Sequence, residues 1–126
     1  MNRKEQMMAI RSPYLFVASM DVPPDKEAEF HALYEQEHIP MLRGVPGVGR
    51  ASRLELQDFS VLGPAASSFI PTPGHPRFSA FYEIEGPHVL ASAAWATAAG
   101  GGRWPEAIRP FARNRRHALL KVIYPG

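Results

Sequence analysis

Residues 30–50 read FHALYEQEHIPMLRGVPGVGR, and this stretch holds a helix and the turn that leads into the next strand. The spacing of three and four residues that places side chains on one helix face relates Phe30, Leu33, Tyr34, His38 and Met41. Pro40 lacks the N–H that a helix interior needs, so we expect the helix to end or kink near His38 and to add one further turn. The pair Pro46-Gly47 then predicts a turn into a strand.

The segments on either side of this stretch complete an α+β pattern. Apolar or alternating runs of strand length predict four strands, at residues 14–20, 48–57, 77–85 and 115–124. A second helix is predicted from Pro87 up to the glycines at 100–102, and a short helix within 104–113. The order βαββαβ is that of the ferredoxin-like fold, a four-stranded antiparallel sheet with both helices on one face.

The other face of such a sheet has nothing in this chain to cover it, and a bare apolar sheet face is unstable in water. A second copy packed face to face is the usual solution, so the sequence predicts a homodimer whose two sheets form a barrel-like core. We expect residues 14–126 to form this single domain, preceded by a flexible tail at 1–13. The loop at 58–76 is long for a compact domain, and fits a functional flap or a disordered insertion equally well.

Composition limits the function classes. Of the 126 residues, 45% are hydrophobic and 21% charged, as is usual for one globular domain. Cysteine is absent, which excludes disulfides, thiolate catalysis and cysteine-ligated metals. A net charge of +2 gives no argument for nucleic-acid binding, and the basic run after Arg103 is interpreted as a solvated or pairing face. No membrane span or cleavable leader is predicted, so the default expectation for the localisation is cytoplasmic.

Tyr34, Glu37 and His38 form the candidate catalytic group. Tyr34 lies three residues from Glu37 and four from His38, so a phenol, a carboxylate and an imidazole are expected close together near the helix end. The helix dipole there favours the protonated imidazole by about 0.3–1 kcal/mol. An imidazole that titrates near neutrality suits proton transfer to or from a carbon acid or a hydroxyl. The competing interpretation is a helix-capping histidine beside a core tyrosine.

A family resemblance rests on the same residues. The motif YEQEHIP at 34–40 and the turn VPG at 45–47 resemble the EthD-like group of the dimeric α/β-barrel superfamily, and the pair YE at 82–83 and the closing IYP at 123–125 are similar as well. The resemblance implies a small homodimer whose ligand lies between the sheet and the first helix, with His38 where the EthD-like histidine falls. Relatives in the superfamily include cofactor-independent monooxygenases, polyketide cyclases, muconolactone isomerases and haem-handling proteins. The loop 58–76 and the triple glycine depart from that pattern.

The leading functional hypothesis is therefore an enzyme that uses neither a metal nor a cofactor. His38 would transfer a proton on a small cyclic or aromatic carbonyl compound, in a lyase, isomerase or monooxygenase reaction. Tyr34 or Arg50 would bind an oxygen, and Glu37 would orient a partner.

Arg50, Trp95 and Met41 are the predicted substrate-binding residues. Arg50 alternates with Val48 in the second strand, so it is expected on the same face, where it either binds a carboxylate or enolate or pairs with an acid. Core packing is the competing interpretation for Trp95. No His, Asp or Glu spacing matches a metal site.

Two other functions stay open at this point. One is a non-catalytic dimeric barrel that binds a small hydrophobic or aromatic molecule or serves a stress-related role. The other is a haem-binding protein with His38 or His117 as the axial ligand.

Overall fold

The structure is a computed structural model that describes residues 10–63 and 74–125. It contains a four-stranded sheet in the order β2-β3-β1-β4, with every neighbouring pair antiparallel. The strands are β1 Tyr14–Asp21, β2 Val48–Glu55, β3 Phe78–Ile84 and β4 Arg113–Lys121. The predicted ferredoxin-like α+β fold is thereby confirmed.

Short helices cover one face of this sheet. They are α1 Glu27–Leu33, α2 Ile39–Arg43, α3 Pro87–Leu90, α4 Ala93–Ala99 and α5 Trp104–Ala107. Single 3₁₀ turns precede α1 and follow α5, at Pro24–Lys26 and Arg109–Phe111. Within the described ranges no helix is long and apolar enough to cross a membrane.

The structure shows an irregularity at His38 and the predicted further turn, α2, with Pro40 in its first turn, but no end of the helical segment at His38. A π-helical turn at Tyr34–His38 joins α1 to α2, and the N–H of Ile39 donates to the carbonyl of Tyr34, five residues back. The wider turn shifts the pattern of backbone hydrogen bonds just before Pro40, which therefore lies in the first turn of α2. Backbone N–H groups in the first turn of a helix have no partner within the helix, so the missing N–H of Pro40 costs no hydrogen bond there. Turns of this kind are frequent at functional sites.

The predicted second helix is two helices, because Ser92 interrupts it. Ser92 is extended, and its Oγ accepts a hydrogen bond from the N–H of Trp95 at 3.1 Å, which caps α4. The cap fixes the point at which α4 begins, and so places Trp95 above the sheet.

A bulge in β2 corrects the predicted face of Val48. Val48 is opposite Ile84 whereas Ala51 is opposite Tyr82, so three residues of β2 span two of β3. Val48 therefore packs on the helical side, and Arg50 lies on the opposite face of the sheet.

The core lies between the sheet and the helical layer. The sheet contributes Met20, Phe78, Ala80, Tyr82 and Ile84. The helical layer and its turns contribute Phe30, Leu33, Tyr34, Leu42, Val45, Val89, Ala98, Trp104 and Ile108. These side chains are at most 9% exposed, so the helical layer is held to the sheet by apolar burial.

The opposite face of the sheet is left open by the described part of the chain. Alternation along the strands puts Val17, Phe81 and Leu120 on it. Polar pairs on this face include Ser19 with Ser79 and Arg50 with Glu83, in which Arg50 Nε donates to Glu83 Oε2 at 2.6 Å. Burial raises the pKa of Glu83, but the Arg50 guanidinium and the N–H groups of Arg11 and Ser12 outweigh it, and the pKa ends below its usual value.

The predicted tail and loop fall partly outside the described residues. Of the tail at 1–13, residues 1–9 lie outside them, while the N–H of Arg11 donates to Glu83 at 2.6 Å and the carbonyl of Pro13 accepts from Val122 at 2.8 Å. Of the loop at 58–76, residues 64–73 lie outside them, and the rest forms no helix or strand. The choice between a flap and a disordered insertion therefore stays open.

Candidate functional site

A cavity of about 180 Å³ lies between the sheet and the π-helical turn. It is lined by Phe16, Ala18, Met20, Tyr34, His38, Leu42, Tyr82, Trp95, Ala99, Trp104, Arg109, Arg115 and His117. Because every residue of β4 is exposed, the side of the cavity formed by Arg115 and His117 faces solvent. This is the place that the family resemblance implies for a ligand.

His38 is the buried polar residue of this cavity. Its side chain is held in the π-helical turn and is 8% exposed. The imidazole stacks on the Trp104 indole, with ring centroids 4.1 Å apart and planes 12° apart, and meets the Tyr34 ring edge-on at 5.3 Å. Among the described residues, its Nδ1 atom has no hydrogen-bond partner. A buried polar atom left unpaired destabilises a folded protein by about 1–3 kcal/mol. A ligand that forms a hydrogen bond with this nitrogen would remove that cost.

His38 is held neutral, which corrects the expected bias toward its protonated form. Burial and, to a smaller extent, the nearby positive charge of Arg109 together lower its pKa from 6.5 to about 4. The helix dipole does not act as predicted, because the helical segment continues through α2 and His38 lies within it. At neutral pH the imidazole is therefore in the form that accepts a proton.

Two tyrosines, Tyr34 and Tyr82, also line the cavity, and Tyr34 lies beside the imidazole. Burial raises the pKa of Tyr34 to about 12, against the opposing effects of Tyr82, Arg53 and Arg115. Burial and then the neighbouring Tyr34 raise the pKa of Tyr82 far above its usual value. The Tyr82 hydroxyl is buried and lacks a well-formed hydrogen bond to any described residue. Both phenols therefore stay protonated and are available as hydrogen-bond donors.

Two arginines and a histidine in the cavity were not predicted as catalytic or substrate-binding residues, although His117 was named as a possible haem ligand. His117 stacks on Phe16 with ring centroids 5.7 Å apart, and burial, with Arg115 nearby, lowers its pKa. Arg109 donates to the carbonyl of Ala99 at 3.0 Å. Alternation along β4 puts Arg115 and His117 on one face, and this signal in the sequence could have grouped them. No comparable signal exists for Arg109, which begins the 3₁₀ turn Arg109–Phe111 after α5.

The structure does not bring Glu37 into the cavity. Its carboxylate faces the other way, and accepts hydrogen bonds from Nε of Arg103 at 2.6 Å and from the N–H of Arg103 at 3.1 Å. These bonds lower its pKa. Gly102, at φ +63°, lies against the same carboxylate, and a Cβ there would be 2.6 Å from it. The Glu37 carboxylate thus holds the segment that follows the triple glycine in place, just before Trp104.

The predicted substrate-binding residues separate in space. Trp95 lines the cavity, where its ring meets Phe16 edge-on at 5.5 Å. Met41 packs against the core beside Gly101, outside the lining. Arg50 pairs with Glu83 on the open face of the sheet, so of its two predicted roles the pairing with an acid is the one observed. No group of three His, Asp or Glu side chains in residues 10–63 and 74–125 is arranged to hold a metal ion.

The ferredoxin-like fold of this chain is shared by several solved structures. A structure of the haem degrader MhuD from Mycobacterium tuberculosis, with two manganese protoporphyrin IX molecules per active site, superposes with a TM-score of 0.58 at 16% identity, covering 88% of this chain and 95% of that chain. SnoaB, a cofactor-independent oxygenase from Streptomyces nogalater, gives 0.55 at 17% identity, covering 90% and 97%. An EthD family protein from Bacillus halodurans gives 0.53 at 12% identity, covering 87% and 99%.

The sequence itself matches no protein-family model and no curated protein. At these identities the structural likeness is a likeness of fold, and the predicted resemblance to the EthD-like group is confirmed at that level.

Proposed function

We propose that this protein is a small enzyme, without a metal, in which His38 transfers a proton on a small cyclic or aromatic carbonyl compound. The observation that carries the proposal is the buried, neutral imidazole of His38, with an unpartnered nitrogen, in a cavity walled by aromatic rings. Buried titratable groups with strongly shifted pKa values, set in a cavity, are typical of catalytic sites.

The chemistry begins with the neutral imidazole as the base. A C–H bond next to the substrate carbonyl breaks, its proton forms an N–H bond on His38, and the electron pair moves to the carbonyl oxygen as an enolate. Tyr34 or Tyr82 donates a hydrogen bond to that oxygen, since both phenols remain protonated. The enolate charge then raises the proton affinity of the adjacent imidazole, which offsets the low pKa of His38 in the empty cavity.

The aromatic walls determine which molecules fit. Trp104 and Trp95 contribute apolar aromatic surface to the lining. The cavity, at about 180 Å³, is smaller than the roughly 300–1,000 Å³ of sites for drug-sized ligands, which favours substrates of one ring.

Haem does not fit this cavity as its side chains stand. The space is too small for a macrocycle, and one face of the His38 ring is already covered by Trp104 at 4.1 Å. When haem is added to the purified protein, we expect no Soret band that depends on His38 or His117. A Soret band that His38→Phe or His117→Phe abolishes would support the haem-binding hypothesis.

We also propose that two copies associate through the open sheet face. Val17, Phe81 and Leu120 lie there, and Leu120 is 51% exposed. Burying this face against a second copy removes apolar surface from water, as the homodimer prediction requires. The cavity lies on the opposite side of the sheet, so each subunit would keep its own site.

A ligand screen tests the proposed function. Small phenols, lactones and keto acids are added to wild-type protein, to His38→Ala and to the exposed-histidine control His88→Ala, and thermal shifts are compared. A ligand at a hundred times its Kd stabilises the fold by about 2.7 kcal/mol. We expect hits on the wild type and on His88→Ala that are lost or weakened in His38→Ala and that wild type turns over. Hits that bind all three proteins equally, with no turnover, would support a non-catalytic binding protein instead.

A further inference from the structure

The charged groups around the cavity are all of one sign. Arg109 and Arg115 line it, and no Asp or Glu among the described residues does so. Glu37, the acid next to His38 in sequence, is turned away and paired with Arg103. The positive charge inside the cavity is thus not cancelled by its own lining.

The two arginines are differently placed for ligand binding. Arg109 is anchored by its bond to the carbonyl of Ala99. Within the described part of the chain, Arg115 makes no hydrogen bond or ion pair, although its charge is felt by both Tyr34 and His117. An arginine without a partner at the solvent side of a cavity presents its whole fork of N–H donors to an incoming molecule.

From this arrangement we propose that the cavity takes an aromatic carboxylate, with the carboxylate bound by Arg115 and Arg109 and the ring against the aromatic walls. The guanidinium fork matches a carboxylate in two parallel hydrogen bonds, which neutral ligands do not offer. Phe16, Trp95 and Trp104 line the cavity and supply apolar surface for the ring. This inference rests on the proposed function and adds a substrate class to it.

Intrinsic tryptophan fluorescence can be used to test whether an aromatic carboxylate binds in the cavity. Both tryptophans of the protein, Trp95 and Trp104, line the cavity, so intrinsic fluorescence reports on binding there. Benzoate and benzamide are the probes, because they share size and shape and differ in charge. The proteins are wild type, Arg115→Gln and the control Arg113→Gln, which removes a charge from the same strand outside the cavity.

We expect benzoate to quench or shift the fluorescence of the wild type and of Arg113→Gln, with at least tenfold higher affinity than benzamide. Arg115→Gln should lose that preference while its melting temperature stays near that of wild type, since this side chain is exposed and unbonded. Equal binding of both probes, or an unchanged preference in Arg115→Gln, would overturn the carboxylate inference but leave the cavity as a ligand site. If neutral lactones bind but neither benzoate nor benzamide does, the carboxylate inference is also overturned. If no compound binds, the proposed function is contradicted as well.

Discussion

Trp104 lies flat on His38, with the two ring centroids 4.1 Å apart and the planes 12° from parallel. The contact joins α5 to the π-helical turn, two segments separated by more than sixty residues of chain. It buries one face of the imidazole and so contributes to the desolvation that keeps His38 neutral. The same contact holds the ring in one orientation toward the cavity.

Replacing His38 by Phe should abolish turnover without lowering the stability of the fold. The phenyl ring keeps the stacking surface for Trp104 and removes the buried, unpartnered Nδ1 atom. We expect the free energy of unfolding to stay the same or rise, by up to about 1–3 kcal/mol, while turnover is lost. Chemical denaturation monitored by circular dichroism measures the first effect. A loss of several kcal/mol would mean that the imidazole makes a stabilising polar contact.

Acid should destabilise the fold through the same histidine. Because the pKa of His38 is about 4 in the folded protein and 6.5 as an ordinary value, the unfolded chain binds more protons between these pH values. Stability is therefore expected to fall as the pH drops from 6.5 to 4, by up to about 3 kcal/mol at 1.36 kcal/mol per pKa unit, with His117 adding to it in the same direction. Unfolding curves of wild type and His38→Phe across this range measure the contribution, and identical pH dependence would refute it.

Gly102→Ala should loosen the segment that carries Trp104. The left-handed backbone at φ +63° costs a residue with a Cβ about 1–2 kcal/mol, and the new Cβ also presses on the Glu37 carboxylate. Gly74→Ala is the matched control, because Gly74 has φ +74° and no atom of residues 10–63 or 74–125 lies within 4 Å of its Cβ position. We expect Gly102→Ala to be the more destabilising in thermal unfolding. Equal losses would show that contact with Glu37 contributes nothing.

Neighbouring leucines on β4 give a matched test of the dimer. Leu120 is on the open face opposite Leu15, whereas Leu119 points to the helical side opposite Phe16. Leu120→Glu should place a charge in the interface and give monomers, and Leu119→Glu should leave the dimer intact. Sedimentation velocity measures both. A monomeric wild type, or a Leu120→Glu variant that still dimerises, would contradict the proposed face.

The fold was predictable because its signals are local. Strand-length apolar runs, the break at Pro46-Gly47 and the helical spacing of Phe30 and Leu33 each follow from backbone geometry and burial. The bulge in β2 was not predictable in this way. It depends on pairing with β3, and it reversed the assignment of Val48 relative to Arg50.

Only the part of the candidate site that lies on one helical segment could be predicted from the sequence, because the rest depends on tertiary contacts. Tyr34 and His38 are neighbours on one helical segment, so their spacing alone brings them together. Glu37 was misplaced because its partner, Arg103, is 66 residues away. The pKa of His38 depends on Trp104 and Arg109, which only tertiary packing brings to it, and Arg115 and His117 reach the cavity through the position of β4 beside β1.

Proton exchange in D₂O tests the central claim most directly, because it detects breakage of the C–H bond whatever reaction follows. Enolisable aromatic probes, 2-indanone and phenylpyruvate, are incubated with wild type, His38→Phe and the control His88→Phe, and loss of their exchangeable C–H signals is followed by ¹H NMR. We predict exchange at least about 10²-fold faster with wild type and His88→Phe than with His38→Phe, the usual scale of general-base catalysis. A probe that binds in the cavity yet exchanges equally fast with wild type and His38→Phe would contradict the account.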